Sequence, residues 1–316
     1  MVLHSYFLKK INVNQFIKAL NLILITLSFF FTNCGISKNK LNYYAASETY
    51  PNDEFLLNVK EKRAMIVVAH DDDPSAMAGT LAKLKKEGWT IKQLCFTSGN
   101  QSRDSAMLVA SKVFLDEIEF INIPPEKLRL DFDSTIIRYM PIPKSDFQFK
   151  FDLDKIHSLV LQSIDGFNPT VIFTLDNEIG GYGHPEHILL SQFVLNSFEN
   201  KLIRTERIYQ SVYTNSMEDK ILKERLTKKV KKWGFPNSYM SALKMYNLNG
   251  MPEPNVQINI ESSAEEKMNY LRTFNERERK TIGFYVPYFD NYNARKYFSV
   301  FNREFFKVYE NTDSKN

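Results

Sequence analysis

The chain is poor in the residues that build specialised architectures. Its 316 residues include only two cysteines, Cys34 and Cys95, with 11 glycines and 12 prolines. So few cysteines give no disulfide framework. Sparse glycine and proline exclude a collagen or a low-complexity chain. Net charge is only +4, too little of one sign to mark a nucleic-acid binder. Long apolar runs are also missing, which excludes a multi-pass membrane protein, because a spanning helix needs ~20 such residues. What is present is an ordinary globular balance: 43% hydrophobic, 25% charged and 14% aromatic. That is enough chain for one large domain or two small ones with a sizeable core.

The one conspicuous apolar run, Ala19 to Thr32, follows Lys9, Lys10 and Lys18 and ends at Asn33-Cys34-Gly35. A basic stretch before about 7–15 apolar residues is a secretory leader layout. A Cys-Gly pair just after it resembles a bacterial lipoprotein cleavage site, with Phe31-Thr32-Asn33 a loose form of the usual box. Residues 1–33 are therefore read as a lipoprotein signal peptide, and Cys34 as the lipidation site. A plain signal peptide or an uncleaved anchor is the other reading. Loss of residues 1–33 removes three lysines and no acid, which takes the net charge to +1. The expected setting is the cell envelope, with the chain lipid-anchored and facing the periplasm or the outside. Cys95, in an apolar stretch, is expected to be buried and inert.

Residues 34–58 are polar with scattered aromatics and read as a tether, with the domain proper over 59–316. Ala64 to Ala69 is a continuous apolar run, suited to a strand buried on both faces. A helical pattern with Met77, Leu81 and Leu84 follows, closed by Gly88. Strand patterns recur at Thr90–Thr97, Glu119–Ile123, Thr170–Leu175 and Arg207–Tyr213, with helical patterns at Arg103–Leu115, 153–165 and 186–200 between them. This alternation predicts an α/β fold, a Rossmann-like three-layer sandwich with a mostly parallel sheet. In such sheets ligands collect beyond the carboxyl ends of the strands.

Beyond residue 213 the pattern is less regular. Residues 219–232 are helical and rich in lysine, which reads as a solvated face. Residues 250–260 turn strand-like after two prolines. Ser263 to Arg279 reads as one helix, with Ser263 and Glu266 as a capping box. The aromatic stretch 284–305 reads as packing under a long loop, with a pocket wall or carbohydrate-facing rim as the alternative.

Of five histidines, His4 falls in the leader and His157 in a helical pattern, where a structural role is expected. The other three stand in two polar clusters at strand ends. His70-Asp71-Asp72-Asp73 directly follows the first strand, where a rigid strand end can hold imidazole and carboxylate ligands around a divalent cation. Gly180-Gly181-Tyr182-Gly183-His184-Pro185-Glu186-His187 follows the fourth strand pattern. Its glycines let backbone pass close to a ligand. Pro185 suits a first helical turn, and His184 and His187 share a helix face. Taken singly, each cluster could be only an exposed acidic turn or a capped glycine loop.

The pair of clusters resembles the LmbE/PIG-L deacetylases. The family pattern Ala-His-Pro-Asp-Asp-Glu stands here as Ala69-His70-Asp71-Asp72-Asp73-Pro74, with Asp71 for the proline and Pro74 for the final acid, and Gly-His-Pro-Asp-His as Gly183-His184-Pro185-Glu186-His187, with Glu186 for the aspartate. Thr97-Ser98-Gly99 with Arg103 is similar to the family's second-strand turn and following arginine. The likeness covers residues 62–215 well and the C-terminal third poorly. A C-terminal histidine that many members carry is replaced near Phe274 or Asn275.

The resemblance implies zinc-dependent removal of acetyl from N-acetylglucosamine-containing substrates. It implies His70, Asp73 and His187 as metal ligands and Asp72 as general base toward the attacking water. His184 would be the electrophile or acid at the developing oxyanion, oriented by Glu186. Tyr182 would be a mobile group near the substrate carbonyl, and Arg103 a substrate-binding residue. Zinc is the expected cofactor, with iron(II) also accepted by such a donor set. The partners implied are an N-acetylated sugar or glycan and, through the anchor, a membrane. A glycan-binding lipoprotein without turnover is the competing expectation. An oxygenase with two histidines and a carboxylate fits poorly, because such sites normally sit in all-β barrels.

Overall fold

The structure, a computed structural model, describes residues 38–96, 107–121, 123 and 139–311. The leader, Cys34, Thr97-Ser98-Gly99 and Arg103 lie outside the described residues. Among those described, seven strands form one sheet: β1 (Arg63–Val67), β2 (Thr90–Phe96), β3 (Glu117–Ile121), β4 (Val171–Leu175), β5 (Arg207–Val212), β6 (Val256–Asn259) and β7 (Arg303–Glu310). Their order is β3-β2-β1-β4-β5-β7-β6. β3, β2, β1, β4 and β5 pair in parallel, and β7 runs antiparallel to both β5 and β6. The α/β expectation with a mostly parallel sheet therefore holds. The antiparallel pair comes from the C-terminal third, where the sequence pattern was least regular.

Alternation sets the two faces of the sheet. Met65 and Val67 of β1, Leu94 of β2 and Ile172 of β4 share one apolar cluster with Ile156, Val160, Ile188 and Leu190. The last four come from helices Leu153–Phe167 and Pro185–Glu199. Ala64 and Ile66 point the other way and are equally buried. On that face the rings of Phe173, Tyr209 and Phe306 pack together across β4, β5 and β7, with centroids 4.9–5.9 Å apart. Burial on both faces is why β1 reads as an unbroken apolar run rather than an alternating one. Helix Leu153–Phe167 opens on Asp152, whose carboxylate accepts the Lys155 N–H at 3.3 Å, and closes on Asn168 at φ 50°.

The C-terminal portion is tied to the sheet by a buried ion pair. Glu304 on β7 meets the Lys267 ammonium, and its two oxygens accept the Gly79 and Thr80 N–H groups at 2.9 and 2.7 Å. A carboxylate there satisfies free donors in the first turn of helix Ala78–Lys86 and complements its dipole. Position 79 has no room for a Cβ, which would lie 2.9 Å from a Glu304 oxygen and 2.7 Å from Ile260.

Two local expectations are corrected. The helix expected over Ser263–Arg279 is two, Ala264–Thr273 and Glu276–Tyr285. Phe274 turns to extended backbone between them, and Asn275 caps the second by accepting the Glu278 N–H at 3.0 Å. Ser263 does not form a capping box, since its hydroxyl donates to the Gly79 carbonyl at 2.6 Å.

Residues 38–58, expected to be a tether, lie packed on the domain. Leu41 and Leu56 are buried. Asp53 accepts the Tyr209 hydroxyl at 2.8 Å, and Asn52 bridges to Gln257. His157 stacks on Phe193 at 3.9 Å, as a structural histidine would, and Cys95 is fully buried. No helix among the described residues is long and apolar enough to cross a membrane.

Candidate active site at the switch point of the sheet

Chain order reverses between β1 and β4, which are neighbours although β2 and β3 lie between them in sequence. That is the switch point where open α/β sheets bind ligands. Both polar clusters sit there, one after each strand.

After β1 the chain turns at His70-Asp71-Asp72 into a short 3₁₀ turn, Asp73–Ala76. The Asp73 carboxylate accepts the His70 backbone N–H at 2.8 Å, which fixes the turn. After β4, Asp176 does similar work on a larger scale. It is fully buried, and one of its oxygens accepts the N–H groups of Glu178, Ile179 and Gly180 at 2.7–3.1 Å. The other oxygen accepts the Gly181 N–H at 2.6 Å. The loop it gathers has Gly180, Gly181 and Gly183 at φ 64°, 76° and 98°, a region that favours glycine. His184 then caps helix Pro185–Glu199, its Nδ1 accepting the Glu186 N–H at 3.3 Å.

These two segments bring the predicted ligands together. His70 Nδ1 lies 2.8 Å from His187 Nε2, and His187 Nε2 lies 3.2 Å from an Asp73 oxygen. The other Asp73 oxygen is 3.6 Å from His70 Nδ1. His187 Nδ1 donates to the Gly180 carbonyl at 2.9 Å, which leaves Nε2 as the acceptor. His70 Nε2 faces a Glu186 oxygen at 2.9 Å. With tautomers assigned from these partners, His70 Nδ1 carries a proton into the space between His187 and Asp73.

The donor set fits a divalent cation there. Ligands at ~2.0–2.2 Å from a tetrahedral centre stand roughly 3.3–3.6 Å apart, so only the two imidazoles need to open slightly. The outer nitrogens of both rings are already held, one by a carbonyl and one by a carboxylate, as ligating histidines usually are. His184 is the third imidazole of the group, within 4.8 Å of the other two, its ring stacked on His187 at 4.5 Å.

Charge follows from this packing. Burial opposes a proton on His70, but Asp73 and Glu186 outweigh it and hold its pKa well above the usual imidazole range. Burial likewise opposes charge on Asp73, and His187 and His70 override it, holding the carboxyl well below the usual carboxylate range. Burial, His187 and His70 together push His184 well below the usual range. His184 is thus neutral, with Nδ1 an acceptor and Nε2–H a donor, which favours the electrophile over the acid. Burial and the neighbouring Tyr285 raise the Tyr182 phenol well above its usual value, so it keeps its proton. Its ring stacks on Tyr285 at 4.7 Å and stands 5.3 Å from that of His187.

One assignment changes partner. Glu186, expected to orient His184, places a carboxylate oxygen 2.9 Å from His70 Nε2, and its backbone N–H reaches His184 Nδ1 at 3.3 Å.

A cleft of about 720 Å³, part of it open to solvent, runs from Asp72, Asp73, His187 and Tyr182. Its far wall is largely apolar, with Leu222, Met251, Ile282 and Val286. Tyr285 and Val286 bring the aromatic C-terminal stretch to this wall, while Phe289, Tyr297 and Phe298 of that stretch are buried as packing. The sequence reading missed Asp176, although an acid directly after a buried strand and before three glycines was a signal available in the chain.

The fold and site together define an α/β protein whose switch point gathers three imidazoles and neighbouring carboxylates. Residues 65–198, a span that contains both clusters, match the PIG-L family model, described as GlcNAc-PI de-N-acetylase. The chain is 25% identical over 258 residues to the mycothiol S-conjugate amidase of Streptomyces coelicolor, spanning 74% of this chain and 78% of that protein. It is similar to the N,N′-diacetylchitobiose deacetylase of Pyrococcus horikoshii, with 14% identity and a TM-score of 0.40 over 81% of this chain and 89% of that one. It is also similar to GalB, the 4-carboxy-2-hydroxymuconate hydratase of Pseudomonas putida KT2440, with 12% identity and a TM-score of 0.48 over 81% and 99%.

Proposed function

We propose that the chain is a metal-dependent amide hydrolase that removes an N-acetyl group from an N-acetylglucosamine-containing sugar or glycan. The observation that carries this is the convergence of His70 Nδ1, His187 Nε2 and the Asp73 carboxylate beside Asp72 at the mouth of the cleft. The PIG-L match over both clusters and the amidase relative support the reaction class.

His70, His187 and Asp73 would hold the cation, zinc or iron(II). Bound there, it would supply Lewis acidity to an amide carbonyl and lower the pKa of a bound water toward ~7. Asp72 takes the proton from the attacking water and delivers it to the leaving amine nitrogen. The Nε2–H of His184 donates to the oxyanion as it develops, an interaction worth about 3–4 kcal/mol. Tyr182, held as a neutral phenol, offers a second donor from the glycine loop. The apolar far wall suits substrates that carry apolar surface next to the sugar.

On the same reading residues 1–33 are a leader and Cys34 is acylated, which holds the enzyme on the cell envelope. Cys34→Ser would then release the protein from the membrane fraction.

The test of the reaction is acetate release from N-acetylglucosamine, its short oligomers and its alkyl or aryl glycosides, with and without added zinc or iron(II). Metal-dependent release that Asp72→Ala abolishes, with metal still bound, is the expected result. Metal binding with no release across the panel would favour the binding-protein alternative, and release unaffected by Asp72→Ala would remove the assigned base.

A further inference from the structure

Helix Leu226–Lys231 runs on into Lys232-Trp233-Gly234-Phe235-Pro236, and every residue from Lys231 to Pro236 is exposed. Trp233 is 58% exposed and Phe235 41% exposed. Trp233 packs against the Phe284 ring with centroids 5.1 Å apart, and the rest of it, with Phe235 two residues on, leaves apolar surface in water, a feature that interaction sites share. The flanking charge is of one sign at this end. Glu224 is engaged by Lys228, Lys220 and the Tyr43 hydroxyl, and Asp219 by Lys223. Lys231 and Lys232 have no acidic partner among the described residues.

The N-terminal end of the domain meets the same segment. Tyr43 donates to Glu224 at 2.5 Å, and the Lys220 ammonium lies 4.7 Å from the Tyr43 ring. The Arg225 guanidinium sits over the rings of Tyr44 and Tyr288 at 5.6 and 4.5 Å, and Lys40 lies over Tyr288 at 4.8 Å. The chain therefore enters the domain at Lys38 beside the basic helix. The 37 residues before it include the apolar run Ala19 to Thr32.

We propose that this face, with Trp233 and Phe235 at its centre and Lys231 and Lys232 beside them, rests on an anionic membrane surface. Lysines are drawn to anionic headgroups, and an indole settles at the boundary between headgroups and acyl chains. An acidic protein could also take exposed aromatics; the membrane is favoured because the chain enters the domain beside this segment, after an apolar run. The inference uses the envelope-anchor reading only to say where a membrane is, and it is independent of the reaction.

The two tryptophans of the chain make the test direct, since Trp89 is 1% exposed while Trp233 is open to solvent. The full chain is reconstituted with vesicles of phosphatidylcholine alone or with phosphatidylglycerol, with and without bromine on the upper acyl chain. Cosedimentation reports attachment, and tryptophan emission reports depth. Expected is quenching by brominated lipid in phosphatidylglycerol vesicles, lost in Trp233→Phe and reduced severalfold in the double variant K231E/K232E. Cosedimentation with unchanged emission would overturn the proposal and leave the patch to an acidic protein. Quenching that persists in Trp233→Phe or is undiminished in K231E/K232E, or failure to bind anionic vesicles, would overturn it equally.

Discussion

His187 Nδ1 donates to the carbonyl of Gly180, seven residues earlier, at 2.9 Å. This contact sets which nitrogen of His187 is free for a cation, and it ties that nitrogen to a loop organised by the buried Asp176 carboxylate. The ligand is oriented by backbone that only glycine makes at low cost.

Gly180→Ala tests that link. Position 180 has φ 64°, and a Cβ there would lie 2.7 Å from the His187 Cβ and 2.9 Å from the Ile188 nitrogen. The left-handed conformation alone costs about 1–2 kcal/mol for an L-residue. Zinc affinity measured by competition with a chelating dye should fall by about 10–100-fold, as for other losses of support behind a ligand. Thermal unfolding should move to lower temperature. Wild-type affinity in this variant would mean the loop does not orient His187.

Glu218 gives a pH prediction away from the site. It is 2% exposed, accepts the Tyr239 hydroxyl and the Met251 N–H, and is pushed up to about 7, chiefly by burial. A carboxyl raised on folding contributes stability that is fully present below about pH 4.3 and lost as pH rises through 7. The loss is on the order of 3 kcal/mol. Denaturant unfolding between pH 4.5 and 8 should show this decline in the wild type and a flatter profile in Glu218→Gln. The same slope in both would assign it to other groups.

His70 predicts how proton and cation compete. Its raised pKa gives the metal-free protein stability that is full below about pH 6.5 and is lost as pH rises through the raised value. A cation must displace that proton. In chelator, this part of the stability should fade on the alkaline side, while zinc affinity rises over the same range. Glu186→Gln removes one of the groups that favour the proton and should move both changes to lower pH. Zinc affinity independent of pH above 6.5 would contradict this placement of the proton.

Much of this was legible in the chain because the informative features are local. Ala64 to Ala69 announced a doubly covered strand, and the two histidine clusters sat at ends of such runs. Pairwise side-chain partners were not local and were less legible. Glu186 lies beside His184 in sequence, yet helix geometry turns its carboxylate to His70, 116 residues away. The break at Phe274 was hidden because the flanking residues all favour helix, and Asn275 ended it by capping the next segment. Ser263 matched a capping pattern, but a tertiary partner, the Gly79 carbonyl, took its hydroxyl.

The central claim is that one cation is shared by His70, His187 and Asp73. Anomalous diffraction at the zinc edge, from crystals grown with zinc, tests it most directly. The expected result is a single peak ~2.0–2.2 Å from His70 Nδ1, His187 Nε2 and an Asp73 oxygen, with His184 unligated. A peak held by His184 together with the other two imidazoles and apart from Asp73, or no peak at the switch point, would contradict the account.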